Sequence, residues 1–127
     1  MIVVDASVLI ALFDKTDALH IRARDLLAEA PGEALAVSAL TFAEIMVLPA
    51  RSNAVAKATR ALDDLDISVI SIDRAAAIQL AGIRARTGLK LPDCCVVLAA
   101  HQEGAELATF DDQLGIAART EGLTVRR

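Results

Sequence analysis

The sequence is poor in aromatic residues, with three phenylalanines and neither tyrosine nor tryptophan among its 127 residues. A flat stacking platform of the kind that grips single-stranded bases is therefore not supported. Cysteine is scarce too, and the only two, Cys94 and Cys95, are adjacent within a helical pattern. Neighbouring cysteines are badly placed for a structural bridge and show no metal-ligand spacing, so they read as reduced packing residues. The two histidines, His20 and His101, lie far apart, and neither has a partner at zinc-ligand spacing. Positive charge is not in excess: the formal net charge is -4. That argues against a protein whose whole surface holds nucleic acid by counterion release, while leaving a local basic strip open. Long hydrophobic runs are also missing. No stretch approaches the ~18 uncharged residues of a membrane span, because Asp5, Asp14, Glu44 and Asp93 interrupt the candidates. No basic residue precedes the first apolar run and no small-residue cleavage site follows it, so no secretory signal and a cytoplasmic location are expected.

What is present is a chain of one-domain size, 1–127, with 55% hydrophobic residues, enough to bury a core without disulfides or structural metal. Ile2, Val3 and Val4 form an uninterrupted β-branched run that reads as a strand buried on both faces. From Ala6 the apolar spacing becomes helical. The spacing predicts further helices over Asp17–Ala30, from Ser38 to about Leu48 with Pro49 closing it, Asn53–Leu65, Asp73–Thr87, Asp93–Glu103 and Asp111–Arg119. Strands are expected at Leu35–Val37, Ile67–Ile72, Glu106–Thr109 and, on an edge, Leu123–Val125. Strands thus alternate with helices. The expected fold is an α/β three-layer sandwich with a mostly parallel central sheet of four to five strands flanked by helices.

Four acids stand out against this frame. Asp5 falls where the first strand turns into a helix, so it is either a plain N-cap or the first member of an active site at the carboxyl edge of the sheet. Glu44 is the one charge in Leu40–Leu48, LTFAEIMVL. It is expected to be a buried carboxylate needing a partner, or else a thin solvent-facing stripe. Asp93 opens the apolar run CCVVLAA, where a first-turn acid interacting with the helix dipole is the plain alternative. Asp111, in TFDD, repeats the position of Asp5 at the end of another strand, with Asp112 available as the helix cap. None of the four has a basic partner beside it in sequence. Gathered together they would repel one another, and oxygen ligands without histidine or cysteine favour Mg²⁺ or Mn²⁺. Such a site suits phosphodiester hydrolysis.

The segments VVDASVLIAL, SALTFAEI, LKLPDCCVVLAA and LATFDDQL, in this order and spacing, make the chain resemble the PIN-domain ribonucleases, in particular the VapC-type toxins of toxin–antitoxin pairs. The resemblance covers nearly the whole sequence. It implies a Mg²⁺- or Mn²⁺-dependent endoribonuclease that cuts structured RNA such as tRNA or rRNA, commonly as a homodimer held inactive by a cognate, VapB-like antitoxin. On that basis Asp5, Asp93 and Asp111 are expected to hold metal, with Glu44 a further ligand or the group orienting the attacking water. Ser7 and Thr109 are supporting hydroxyls, or local turn formers. Arg51, Arg84, Arg86 and Lys90 are candidates for gripping RNA, each also readable as part of a solvated helix face. The sequence departs from the family in carrying Gln113 where relatives often place another acid, and Cys94 where they carry a small residue.

Two other readings compete. An α/β phosphate-transferring domain of the haloacid-dehalogenase kind needs an aspartate where Ser7 stands, and a receiver domain needs an acidic pair after its first strand and a lysine after its last. A catalytically silent PIN-like domain that only binds RNA or protein would be favoured by loss of a site acid, and all four are present.

Overall fold

A computed structural model describes residues 1–127. Its elements follow in the order β1 (Ile2–Val4), α1 (Ala6–Phe13), α2 (His20–Ala28), β2 (Leu35–Ser38), α3 (Ala39–Arg51), α4 (Val55–Asp64), β3 (Ile67–Ile70), α5 (Arg74–Thr87), α6 (Leu91–Glu103), β4 (Glu106–Ala108), α7 (Asp112–Thr120) and β5 (Val125–Arg126). The strands form one five-stranded sheet in the order β3-β2-β1-β4-β5, and every pairing is parallel. The sheet is therefore wholly, not mostly, parallel.

Strand β1 is central and buried on both faces, as its unbroken β-branched run requires. Successive side chains point to opposite sides. Val3 joins the core shared with α5, α6 and α7, while Ile2 and Val4 join the core shared with α1, α2 and Leu62 of α4. Helix α6 is buried throughout from Cys94 to Ala100. Burial pushes the Cys95 thiol up to about 11, so both cysteines are protonated packing residues.

Several expected boundaries move, the edge strand falling at Val125–Arg126 rather than Leu123–Val125, and three of the shifts have a visible cause. Helix α2 starts at His20 rather than Asp17, because the Asp17 carboxylate accepts the Leu19 amide at 2.7 Å and closes a local turn. Pro49 lies inside α3 instead of closing it. Proline removes a donor but keeps its carbonyl, and that carbonyl accepts from Ser52 and Ala54 as the helix ends. Strand β3 stops at Ile70 because it pairs residue for residue with β2, whose last paired residue is Ser38. No helix is long and apolar enough to cross a membrane.

The topology fixes where chemistry can sit. Chain order runs outward from β1 to β2 and β3 on one side and to β4 and β5 on the other. A crevice therefore opens beyond the carboxyl ends of β1 and β4, the switch point of an open parallel sheet.

Candidate active site

Asp5 follows β1 and caps α1, its backbone amide donating to Ala108 of β4 at 2.9 Å. The carboxylate is buried, with 6% of the residue exposed. Its Oδ2 accepts three donors: the Ser7 hydroxyl at 2.6 Å, the Thr109 hydroxyl at 2.9 Å and the Ser7 amide at 3.4 Å. Each hydroxyl then accepts a backbone amide from the β4–α7 loop, Ser7 from Phe110 and Thr109 from Asp111, both at 3.0 Å. Asp5 Oδ1 takes no hydrogen bond from the protein. Since no buried side-chain oxygen or nitrogen lacks a partner, Oδ1 is the oxygen that solvent reaches.

Asp111 repeats this division of labour. Its Oδ1 caps α7 by accepting the Leu114 amide at 2.8 Å, and its other oxygen has no protein donor. The cap of α7 is thus Asp111, not Asp112. Asp112 is exposed and paired with Arg127, turned toward the C-terminal strand. Capping and ligation are not alternatives for Asp5 or Asp111, because each carboxylate caps with a single oxygen.

Asp93 sits in the first turn of α6. Burial pushes its carboxyl above the usual range, the charges of Asp5 and then Asp111 add to the rise, and Lys90 opposes it. Glu44 projects from α3; it is exposed on the helix surface, and partial desolvation, then Asp5 and Asp93, raise its carboxyl. The four acids, carried by α3, α6 and the ends of β1 and β4, therefore share one electrostatic field. None of them enters an ion pair. No three acid, histidine or cysteine side chains are grouped at metal-holding spacing.

Of the two expectations for Glu44, the buried carboxylate is corrected and the solvent-facing stripe holds, because Glu44 is exposed. Of α3 only Thr41 is buried, and Val47 and Leu48 are 48% and 72% exposed. Leu40, Phe42, Ile45 and Met46 pack against the core, while Val47 and Leu48 leave an uncovered apolar face. Glu44 borders a cavity of about 600 Å³ between α1, α3 and α4, lined by Ile10, Phe13, Ile45, Leu48, Pro49 and Leu62 among others. Periodicity cannot distinguish a helix buried in its own chain from one left open.

The basic candidates divide. Arg86 is bonded to Glu121 through its Nε at 3.1 Å and its Nη2 at 2.6 Å. Arg84 donates to the Gly88 carbonyl at 3.2 Å and to that of Leu89. Arg51 is exposed at the end of α3 and lines neither cavity. Of these four, only Lys90 faces a recess containing site acids, a cavity of about 430 Å³ shared with Asp93 and Asp111, while Lys57, without a signal in the sequence, lines the larger cavity with Glu44. Another basic side chain had no signal in the sequence: Arg22 of α2 lies 5.3 Å from the centre of the Phe110 ring, at the rim of the same loop.

The PIN domain family model matches residues 2–120. Among solved structures, a toxin–antitoxin complex from Klebsiella pneumoniae is 26% identical, with a TM-score of 0.79, covering 100% of this chain and 97% of the other. VapC20 of Mycobacterium tuberculosis, a sarcin–ricin loop cleaving toxin, is 22% identical with a TM-score of 0.77, covering 92% and 95%. FitAcB of Neisseria gonorrhoeae is 20% identical with a TM-score of 0.77, covering 100% and 97%. No curated protein gives a significant sequence match.

Proposed function

The chain belongs to the PIN-domain family, and on that premise we propose that it is a Mg²⁺- or Mn²⁺-dependent endoribonuclease acting as the toxin of a toxin–antitoxin pair. The observation that carries the reading is the placement of Asp5, Glu44, Asp93 and Asp111 around the carboxyl ends of β1 and β4, none with an ion-pair partner, with the carboxyls of Glu44 and Asp93 raised by desolvation and by their acidic neighbours. A cation drawn among these unpaired carboxylates would offset their mutual repulsion.

The donor set fits a hard divalent metal, being carboxylate oxygens without histidine or cysteine. Asp5 through Oδ1, Asp93 and Asp111 would hold it, with Glu44 as a further ligand or a base for water. Bound there, the cation would lower the pKa of the attacking water and neutralise charge at the scissile phosphate. The chain's own groups do the positioning. Ser7 and Thr109 hold Oδ2 of Asp5 and so leave Oδ1 open to solvent. Their bonds to the amides of Phe110 and Asp111 fix the loop that carries Asp111. Glu44, whose pKa is raised, is suited to accept a proton from water nearer neutral pH than an ordinary carboxylate.

The substrate is RNA, tRNA or rRNA by analogy with the rRNA loop cleaved by VapC20. The partner is a cognate antitoxin, by analogy with the toxin–antitoxin complex. The uncovered apolar cavity beside Glu44 is suited to a short apolar segment of that antitoxin, laid across α1, α3 and α4. A homodimer and a cytoplasmic location complete the proposal. Incubation of the purified protein with total RNA, with Mn²⁺ or with chelator, tests it. Metal-dependent cuts bearing 5′-phosphate and 3′-hydroxyl ends are expected, and cyclic phosphate ends or cleavage indifferent to chelator would overturn it.

A further inference from the structure

The cavity of about 430 Å³ beside the acids is two-sided. The α5–α6 turn and the start of α6 contribute Leu89, Lys90 and Asp93, and the start of α7 contributes Asp111, Gln113, Ile116 and Ala117, so each side carries one site acid, one further polar side chain and apolar surface. Two observations show that Lys90 and Gln113 are not spent on the fold. Lys90 enters no ion pair, whereas the neighbouring Arg84 and Arg86 are both engaged. Gln113 is exposed and has no hydrogen-bond partner, although Gln102, another exposed glutamine, finds one in Gln79. Ile116, 64% exposed, leaves an apolar surface open to water at the same place.

We propose that this recess holds one adenine nucleotide of the RNA next to the scissile bond, with Lys90 on its phosphate and Gln113 reading its base. This rests on the nuclease reading and adds the specificity of the site. The size suits a single nucleotide, since ligand clefts begin at roughly 300 Å³. A purine covers more of Leu89 and Ile116 than a pyrimidine does, and no aromatic side chain lines the recess to favour stacking instead. The planar amide of Gln113 offers a donor beside an acceptor, the complement of adenine on either of its exposed edges. Guanine presents two acceptors on its N7 edge and can meet the amide only through N1–H and O6, whereas adenine offers a donor beside an acceptor on both edges, so the amide has twice as many ways to hold adenine. Lys90, a compact charge on a flexible stem, suits a phosphate without fixing the base. An acid in place of Gln113 would accept but not donate, so the glutamine changes what that position can recognise.

Short oligouridylates carrying one central adenosine, guanosine or cytidine provide the test, cut in Mn²⁺ and, separately, bound in chelator and followed by fluorescence anisotropy. The wild type should cut beside adenosine about tenfold faster than beside the other bases, and should bind that oligonucleotide more tightly in chelator. Gln113→Ala should level both preferences. Lys90→Ala should raise KM several-fold for every oligonucleotide alike, leaving the base preference in place. Both residues are exposed, and an unchanged circular dichroism spectrum checks that the variants fold. Cleavage by the wild type without adenine preference, or a preference untouched by Gln113→Ala, overturns this inference and leaves the nuclease standing. Adenine-selective binding without any metal-dependent cutting keeps this inference and removes the nuclease. Neither cutting nor selective binding removes both.

Discussion

Thr109 and Asp5, at the ends of adjacent parallel strands, are joined by a 2.9 Å hydrogen bond from the threonine hydroxyl to Oδ2 of a buried carboxylate. The same hydroxyl accepts the Asp111 amide at 3.0 Å. One side chain thus orients a candidate ligand on β1 and anchors the loop bearing another after β4.

Replacing Thr109 by valine keeps the shape and removes both bonds. Thr109→Val should lose about 1–3 kcal/mol of stability, because a buried acceptor and a loop amide each lose a partner. RNA cleavage should fall by about ten- to a hundredfold, the usual effect of removing a group that orients a metal ligand. Thr109→Ser should restore most of both. Urea melts and initial cleavage rates of the three proteins decide it, and a valine variant as active as wild type would leave Thr109 a packing residue only.

Asp93 carries two opposed effects. The first turn of α6 favours its charge by ~0.3–1 kcal/mol, and Lys90 acts in the same direction, yet its pKa is raised. Burial and repulsion by Asp5 and Asp111 therefore dominate. Asp93→Asn should raise the melting temperature in chelator. In Mn²⁺ the order should reverse, since a ligand at a hundred times its dissociation constant adds about 2.7 kcal/mol to the wild type and the variant forfeits most of that. A less stable variant in chelator, with no effect of Mn²⁺ on the wild type, would return Asp93 to a helix-dipole role.

The pH dependence follows from the same shifts. Glu44 and Asp93 have folded pKa values above their ordinary 4.5 and 3.8, so the folded state binds more protons than the unfolded one while they titrate. Their contribution is fully present below the unfolded values and is lost as pH rises through the raised ones. Metal-free protein should therefore gain stability as pH falls from neutrality toward 4.5. Below that, Glu33 and Glu121, whose pKa values are lowered by the N-terminal amine and by Arg86, take stability away as they protonate. Thermal melts in chelator should show this maximum on the acid side, and Asp93→Asn should shrink the rise.

Leu48 is 72% exposed at the rim of the apolar cavity. Leu48→Lys should change stability by no more than about 0.5 kcal/mol and leave metal-dependent cleavage in place. It should weaken capture of the cognate antitoxin, because a charge enters the surface proposed to receive an apolar segment. Pull-down of tagged wild type and variant from the native source compares them, and equal recovery of the antitoxin would move its docking site elsewhere.

Local chemistry settled much of this protein. The β-branched run of β1, the caps Asp5, Ser38 and Asp73, and the glycines Gly88 and Gly104 in left-handed conformation after α5 and α6 mark elements that form as the sequence predicts. The acids at strand ends and helix starts were also legible, because a carboxylate with no nearby counter-charge is visible in one dimension. Tertiary structure alone decided how those acids are used. Which oxygen of Asp5 is tied and which is open depends on Thr109, brought beside it by β1–β4 pairing. The loss of Arg86 to Glu121 and the openness of α3 depend on neighbours distant in sequence. Helical and strand periodicity record only which face of an element is apolar. What covers that face, and which charge meets which, is set by long-range packing that no local pattern encodes.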